Sequence, residues 1–232
     1  MPAAPPTPWI SDLWQRMRCL FVLKLVGTTV FTGVFFLGYF HLLRFPSQPP
    51  FVMPLTALDA LVPFQPAMLV PYLSLWFYVG AGPGLQPGLR ALVVYGLWIG
   101  ALCVTGLAFF YGWPTAVQPL RPDVSGLAGF ALLQGVDAAG NACPSMHVAV
   151  AMFTAWRVDQ VLRETRAPAA LRSLNALWFV AIAWSTLAVR QHVALDVLAG
   201  ALLGSAFAAA SLRWRPMSSG YHRSLVDTRL AP

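Results

Sequence analysis

Two short stretches of the sequence carry the residues that could do chemistry, CPSMH at 143–147 and HVALD at 192–196. In the second stretch His192 and Asp196 stand four residues apart, a spacing that places both side chains on one helical face. A carboxylate beside an imidazole can fix its tautomer, so the pair could support nucleophilic or acid–base catalysis. The alternative interpretation is a purely structural pair that pins two helices together.

The first stretch places a histidine just after a proline and a serine, at the start of an apolar segment. Pro144 suits the first position of a helix, where its missing N–H costs nothing. The N–H groups of Ser145 and Met146 would then be free at the positive end of the helix dipole, which favours an anion. For His147 the alternative is an ordinary interfacial residue with its ring among lipid headgroups.

The composition predicts that helices within a membrane must position these residues. Only 10% of the 232 residues are charged and 58% are hydrophobic, whereas a soluble domain carries about 25% charged residues. A helix needs about 20 apolar residues to cross a bilayer. Six segments approach that length: 19–41, 67–83, 91–111, 144–162, 174–190 and 193–212. We therefore expect an all-α, six-helix membrane domain over 19–212, with cytoplasmic tails at 1–18 and 213–232.

The distribution of arginine predicts the orientation of this domain, because cytoplasmic loops are enriched in basic residues. With the N-terminus inside, eleven arginines lie on the cytoplasmic side, and only Arg44, Arg121 and Arg190 lie outside. Both histidines then face the external side, which in a bacterial inner membrane is the periplasm. The net charge of +7 is spread between apolar blocks, which argues against a nucleic-acid-binding patch.

Small residues follow both histidines at helical spacing. Gly200, Gly204 and Ala208 continue the stripe of His192, and Ala151 and Ala155 continue that of His147. Such residues let helices approach closely, so both stripes are predicted to face the interior of the bundle.

A proline-rich stretch at 44–66 is expected to form an ordered interfacial loop on the same side as the histidines. Two acidic residues outside the spans, Asp59 and Asp123, are interpreted as solvated loop carboxylates. Because this stretch could cover the site, it could also exclude water from it.

Three motifs together resemble those of the type 2 phosphatidic acid phosphatase superfamily. They are RP at 121–122, PSMH at 144–147 and HVALD at 192–196, in the order and approximate spacing of that family's signatures. The common first motif has a lysine where this chain has Pro114, and the common third motif has Ser-Arg where this chain has Ser185 and Thr186. These departures resemble the branch that contains inositol phosphorylceramide synthases and related bacterial proteins.

The resemblance implies a role for each residue. His192 would attack phosphorus to form a phosphohistidine, Asp196 would hold its tautomer, and His147 would protonate the leaving oxygen and then deprotonate the acceptor. Arg121, Ser145 and Arg190 would hold the phosphate oxygens, with Arg190 in place of the missing motif arginine.

The function expected from these residues is a membrane lipid phosphotransferase that needs no cofactor and no metal. Its donor would be a phospholipid or isoprenoid phosphate, and its acceptor an alcohol or lipid hydroxyl. The alternative is a lipid phosphate phosphatase. Two rival interpretations are a metal-dependent hydrolase that uses His147, His192 and Asp196 as ligands, and a transporter or scaffold in which the pair serves packing or proton relay. The sequence leaves the oligomeric state open.

Overall fold

The computed structural model describes residues 9–118 and 140–214, and about three quarters of these residues are helical. Its helices and strands, in chain order, are α1 (Trp9–Arg18), α2 (Phe21–Arg44), β1 (Phe51–Val52), α3 (Ala57–Leu61), a 3₁₀ turn (Pro66–Met68), α4 (Leu69–Gly84), α5 (Leu89–Gly112), β2 (Thr115–Ala116), α6 (Met146–Glu164), α7 (Ala169–Ala188) and α8 (Ala194–Arg213). The predicted all-helical class is therefore confirmed for the part of the chain that the structure describes.

Four of these helices, α2, α5, α7 and α8, are long and apolar enough to cross a membrane. α4 has 16 residues, fewer than the roughly 20 that a crossing needs. α6 has 19 residues, but Arg157, Asp159, Arg163 and Glu164 lie in its second half. Within the described residues the chain has four candidate spans, and the number of six remains a proposal.

α2 presents apolar side chains on every side. Val22, Leu23, Leu25 and Val26 are all exposed and point in different directions around the helix, and Lys24 is the one residue of this helix that is buried by the described chain. A helix that is hydrophobic all round is suited to hydrocarbon, because only lipid or another apolar surface can cover every face of it.

α1 is a helix where the sequence predicted only a tail. Ile10, Trp14 and Met17 are exposed and recur at helical spacing, while Asp12 and Arg16 form an i,i+4 ion pair of 2.9 Å. A short amphipathic helix of this kind suits the interface between headgroups and hydrocarbon. A 10-residue amphipathic helix is too short and too polar to be found in a search for membrane spans.

α6 and α8 pack closely through the predicted stripe of small residues. A Cβ added at Gly200 would overlap the carbonyl oxygen of Ser145, and one added at Gly204 would overlap that of Ala149. Ala208 continues this stripe and is completely buried. The sequence prediction of close packing along this face is confirmed, and it brings the first turns of the two helices together.

α4 packs on the other side of α6, against α7 as well. Tyr78 donates a hydrogen bond of 2.8 Å to the Asn175 side chain, which donates one of 2.9 Å to the Ala155 carbonyl. Ala151 and Ala155 lie in the same cluster as Leu75, Tyr78 and Ile182. The small residues below His147 therefore make room for α4 and α7.

The ends of the helices gather at two opposite levels. At one level, which we call the site end, the start of α6 meets the start of α8, since Ser145 N donates to the Asp196 carbonyl at 3.0 Å. At the other level, Lys24 in the first turn of α2 donates to carbonyls of Gly84 and Gln86 at the end of α4 and just after it. Successive long helices thus run in opposite directions.

The proline-rich stretch closes over the site end. β1 pairs with β2 in parallel, and α3 follows between Pro54 and Pro63, which confine it to one short turn. Gln65 N then donates to the Ala188 carbonyl at 2.9 Å, at the end of α7. The expected ordered loop is present, and it includes a strand and a helix that its prolines had argued against.

Candidate functional site

His192 is positioned by the way in which α7 ends. Arg190 adopts a left-handed backbone conformation with φ of 61°. Gln191 N donates to the Thr186 carbonyl and Arg190 N to the Leu187 carbonyl, both at 3.0 Å. These are the two bonds of a Schellman motif. The turn brings His192 N to the same Thr186 carbonyl, at 3.1 Å, and so fixes the backbone of the histidine.

Asp196 lies in the first turn of α8 and is completely buried. Its Oδ2 accepts a hydrogen bond of 3.0 Å from Val193 N and lies 3.6 Å from Nδ1 of His192. His192 precedes the helix, so the prediction that both residues share a helical face is wrong in detail. Asp196 is the third residue of the helix, and its carboxylate reaches back to the N–H of the N-cap residue Val193; this bond, not a shared face, brings the pair together.

Ser145 caps α6, where its Oγ accepts from Val148 N at 3.4 Å. Two expectations are corrected here. Pro144 precedes the cap and is not the first helical residue. The Ser145 N–H is not free for an anion, because it donates to the Asp196 carbonyl. This bond instead ties the capping serine of one helix directly to the acid of the other.

His147 lies between Tyr72 of α4 and His192. Its ring stacks on Tyr72 with centroids 4.8 Å apart and planes at 30°. Its centroid lies 5.7 Å from that of His192. The two imidazoles are therefore in direct edge-to-face contact. The structure thus assembles His147, His192 and Asp196, as the two motifs predict.

Two buried polar atoms of this group have no hydrogen-bond partner among the described residues: Nδ1 of His192 and Oδ1 of Asp196. Buried polar atoms are nearly always paired, so each exception needs a reason. The 3.6 Å between the two side chains exceeds hydrogen-bond length by roughly half an ångström. Catalytic hydrogen bonds are often long without substrate and shorten when it binds.

Arg190 holds the chain that covers the site. Its Nη1 donates to the Asp59 carbonyl at 3.0 Å and its Nη2 to the Val62 carbonyl at 2.7 Å. A guanidinium has five N–H groups, and these bonds use two of them. The predicted phosphate-binding role of Arg190 is not tested by this arrangement. The other predicted arginine, Arg121, lies outside the described residues.

Asp59 is a site residue that sequence reasoning missed. It was expected to be solvated, but it is buried, with 3% of its surface exposed. One carboxylate oxygen accepts from Ala194 N at 2.7 Å, at the start of α8. The other accepts from Thr56 N and Thr56 Oγ1. The Thr-x-x-Asp spacing is a capping pattern and could have signalled that this acid is structural.

The Cys143 thiol lies beside the site but is poorly suited to act as a nucleophile. Burial, with the nearby Asp196 carboxylate adding to it, raises the pKa of Cys143 to about 11. A thiol with such a pKa stays protonated near neutral pH, and only the thiolate is a good nucleophile. The imidazoles therefore remain the nucleophilic groups of this site.

The rival metal interpretation needs several metal-binding side chains close together within residues 9–118 and 140–214, the part of the chain that the structure describes. Across these two ranges, no group of three or more His, Cys, Asp or Glu side chains is arranged to hold a metal ion.

The sequence model of the PAP2 superfamily matches residues 91–219, which is more than half of the chain and includes all three motifs. No curated protein and no solved structure matches the chain.

Replacing Asp59 by alanine is expected to lower the turnover of a lipid phosphate substrate about 10- to 100-fold, because the start of α8 loses an acceptor and His192 shifts with it. The Thr56→Val variant is the matched control, since it keeps the carboxylate bond to Ala194, and it should turn over at close to the wild-type rate. Turnover number, KM and thermal unfolding are measured for both. Wild-type turnover in an Asp59→Ala protein of native stability would refute this positioning role.

Proposed function

Because the chain belongs to the PAP2 superfamily, whose members act on lipid phosphates, we propose that it is an integral membrane lipid phosphotransferase that forms a phosphohistidine. The observation that carries the proposal is the placement of His147 against His192, with the buried Asp196 behind His192. Two imidazoles and a carboxylate suffice for a double displacement at phosphorus.

In the first step, Nε2 of His192 attacks the phosphorus of the donor lipid. Nδ1 faces the Asp196 carboxylate, so it carries the proton and leaves the lone pair on Nε2. As the N–P bond forms, the P–O bond to the leaving alcohol breaks and His147 supplies the proton that this oxygen needs. Asp196 stabilises the resulting imidazolium, as the acid of a catalytic triad does.

In the second step, an acceptor hydroxyl attacks the phosphohistidine. His147, now neutral, takes the hydroxyl proton as the new O–P bond forms and the N–P bond breaks. His192 and His147 both return to their starting protonation states, so the cycle needs no cofactor. Water in place of the acceptor would give the alternative function, a lipid phosphate phosphatase.

The phosphate oxygens are proposed to bind Arg121, the Ser145 hydroxyl and Arg190. Arg190 would use the N–H groups that do not donate to the Asp59 and Val62 carbonyls. Arginine suits this task because its planar group binds phosphate through paired hydrogen bonds. Stabilising charge on these oxygens is a major part of catalysis in phosphoryl transfer.

Transfer is favoured over hydrolysis by the cover of the site. Met53 packs with Cys143 and Val193, and Val62 packs with Leu187 and Ala188. His192 is only 9% exposed. A phosphohistidine near a membrane surface survives longer when such a cover keeps water out. The STLAVRQH sequence at 185–192 points the same way, since it resembles the synthase-containing branch.

We further propose that α4 and α6 complete a six-span bundle and that the site faces outward, as in the periplasm of a bacterial inner membrane. The end of the bundle opposite the site carries Arg163, Arg166 and Arg172, among other arginines. Basic residues are retained on the cytoplasmic side, so this charge difference supports the orientation.

The orientation predicts which engineered cysteines are labelled in intact cells. Gln48 lies at the site end and Ala170 at the opposite end, and both are exposed. In a protein with Cys19 replaced by serine, an impermeant thiol reagent should label Gln48→Cys and spare Ala170→Cys until the membrane is opened. The reverse pattern would place the site in the cytoplasm.

The two histidines are predicted to fail in different ways. His192→Ala should form no phosphoenzyme, whereas His147→Ala should still react with p-nitrophenyl phosphate, whose leaving group needs no proton. Asp196→Asn should fold but lose activity by orders of magnitude, because the tautomer of His192 is no longer held. Acid-labile labelling from radioactive donor and steady-state rates measure these effects. Equal losses at both histidines on p-nitrophenyl phosphate would contradict the assignment.

The choice of acceptor is tested by following a labelled phospholipid donor with and without ceramide or diacylglycerol. A transferase should move the label into a new lipid that depends on the acceptor. If every acceptor leaves the label in free phosphate or in a water-soluble phosphoalcohol, the protein is a lipid phosphate phosphatase.

A further inference from the structure

A cavity of about 560 Å³ runs from the candidate site along the bundle, between α2, α4, α5 and α6. His147 and Tyr72 line it at the site end, and Lys24 lines it at the opposite end. We propose that this groove holds one extended hydrocarbon chain of the donor lipid and that Lys24 closes it, so that the groove sets the longest chain accepted. The proposal rests on the proposed function, because it assigns a binding place to the hydrocarbon tail of the lipid that reacts at that site.

The lining of the groove suits hydrocarbon. Apart from Lys24, most of its residues are aliphatic or aromatic, among them Phe31, Phe35, Trp76, Val79, Leu92 and Val150. Phe36 of α2 and Trp76 of α4 pack together at 5.5 Å between ring centroids and bridge one side. Because His147 belongs to both the site and the groove, a chain in the groove has its phosphate end beside the histidines.

The length of the groove fits one long chain. On α2 its lining extends from Tyr39 to Leu23, next to Lys24, and at 1.5 Å per residue this is about 24 Å. The hydrocarbon core of a bilayer is about 30 Å thick, so the groove passes the midplane of the membrane. It therefore suits a single chain drawn out to its full length.

Lys24 is a firm end to the groove. Its ammonium donates to the carbonyls of Arg16, Gly84 and Gln86 at 2.6, 2.9 and 2.8 Å, which uses all three of its N–H groups. Displacing it with a longer chain would leave the ammonium or these carbonyls without partners in an apolar setting, which is costly. The residue also ties α2 to the turn after α4, so it cannot swing aside alone.

Glycines give a way to fill the groove without disturbing the backbone. Gly27 and Gly96 line its deep half, and a Cβ at either position meets no atom within 4 Å. Gly33 of α2 is equally open but is not part of the lining. A leucine at Gly96 should therefore shorten the groove, and a leucine at Gly33 is the matched control.

The test uses the full-length protein and lysophosphatidic acids with octanoyl, lauroyl, palmitoyl and longer chains. In the wild type, kcat/KM should increase with the length of the acyl chain until the chain reaches Lys24, and it should decrease for longer chains. The palmitoyl-to-octanoyl ratio of kcat/KM should drop at least about tenfold in Gly96→Leu, since each methylene excluded from an apolar site loses about fourfold. Gly33→Leu should keep the wild-type ratio. An unchanged ratio in Gly96→Leu overturns the proposal.

A binding measurement separates this proposal from the proposed function. A palmitoyl lysophosphatidic acid with a photoreactive group at the chain end should cross-link near Gly27 and Gly96, and Gly96→Leu should move the cross-links toward Tyr72. Cross-links confined to the outer faces of the helices overturn the groove. If the wild type cross-links as expected but turns over no lipid phosphate, the proposed function fails and the groove stands.

Discussion

The close contact between α6 and α8 is the constraint on which the site depends. Because Gly200 has no side chain, the Ser145 carbonyl can occupy the space that a Cβ would need, and Ser145 N can reach the Asp196 carbonyl. The capping residue of one helix is thereby bonded to the acid of the other. His147 and His192 follow from this contact, since one lies two residues after the cap and the other four residues before the acid. A wider spacing of the helices would separate the two imidazoles beyond the reach of one phosphate.

The two buried carboxylates at the site end are stabilised by hydrogen bonds from the first backbone N–H group of α8 and from that of the residue before it. Asp59 and Asp196 accept hydrogen bonds from successive N–H groups at the start of α8, those of Ala194 and Val193. Carboxylates are favoured there by the helix dipole as well as by the bonds themselves. Arg190 completes the arrangement from the other side by binding the Asp59 and Val62 carbonyls. Since Arg190 is two residues from His192, the chain that covers the site and the turn that presents the histidine are fixed by the same side chain.

The sequence predicted the parts of this structure that follow from local pattern. The helical class, the small-residue stripe and the meeting of His147, His192 and Asp196 all follow from composition, spacing and motif. The burial of Asp59 did not, because a carboxylate in a proline-rich loop is usually solvated; the local Thr56 spacing hints at a capping role, but the partner that holds Asp59 against α8, Ala194, is distant in sequence. Nor could the Ser145 N–H be assigned correctly, since its acceptor, Asp196, lies on a helix that begins almost fifty residues later. Contacts between elements far apart in sequence leave no periodic signal.

Lys24 is a charged residue at a position where burying a charge costs free energy, and this cost indicates that the residue has a specific role. A charged side chain within an apolar helix is unfavourable unless it is paired, and it marks a functional position by default. Here three carbonyls solvate the ammonium, so the charge is stable, yet a neutral residue could hold the same helices by packing alone. An ammonium does something further, because a hydrocarbon chain cannot replace its hydrogen bonds. Both ends of the groove are thus polar, with an imidazole at one and an ammonium at the other, whereas its walls are mostly apolar. In the proposed groove, this arrangement would set both where the phosphate of a lipid lies and where its tail ends.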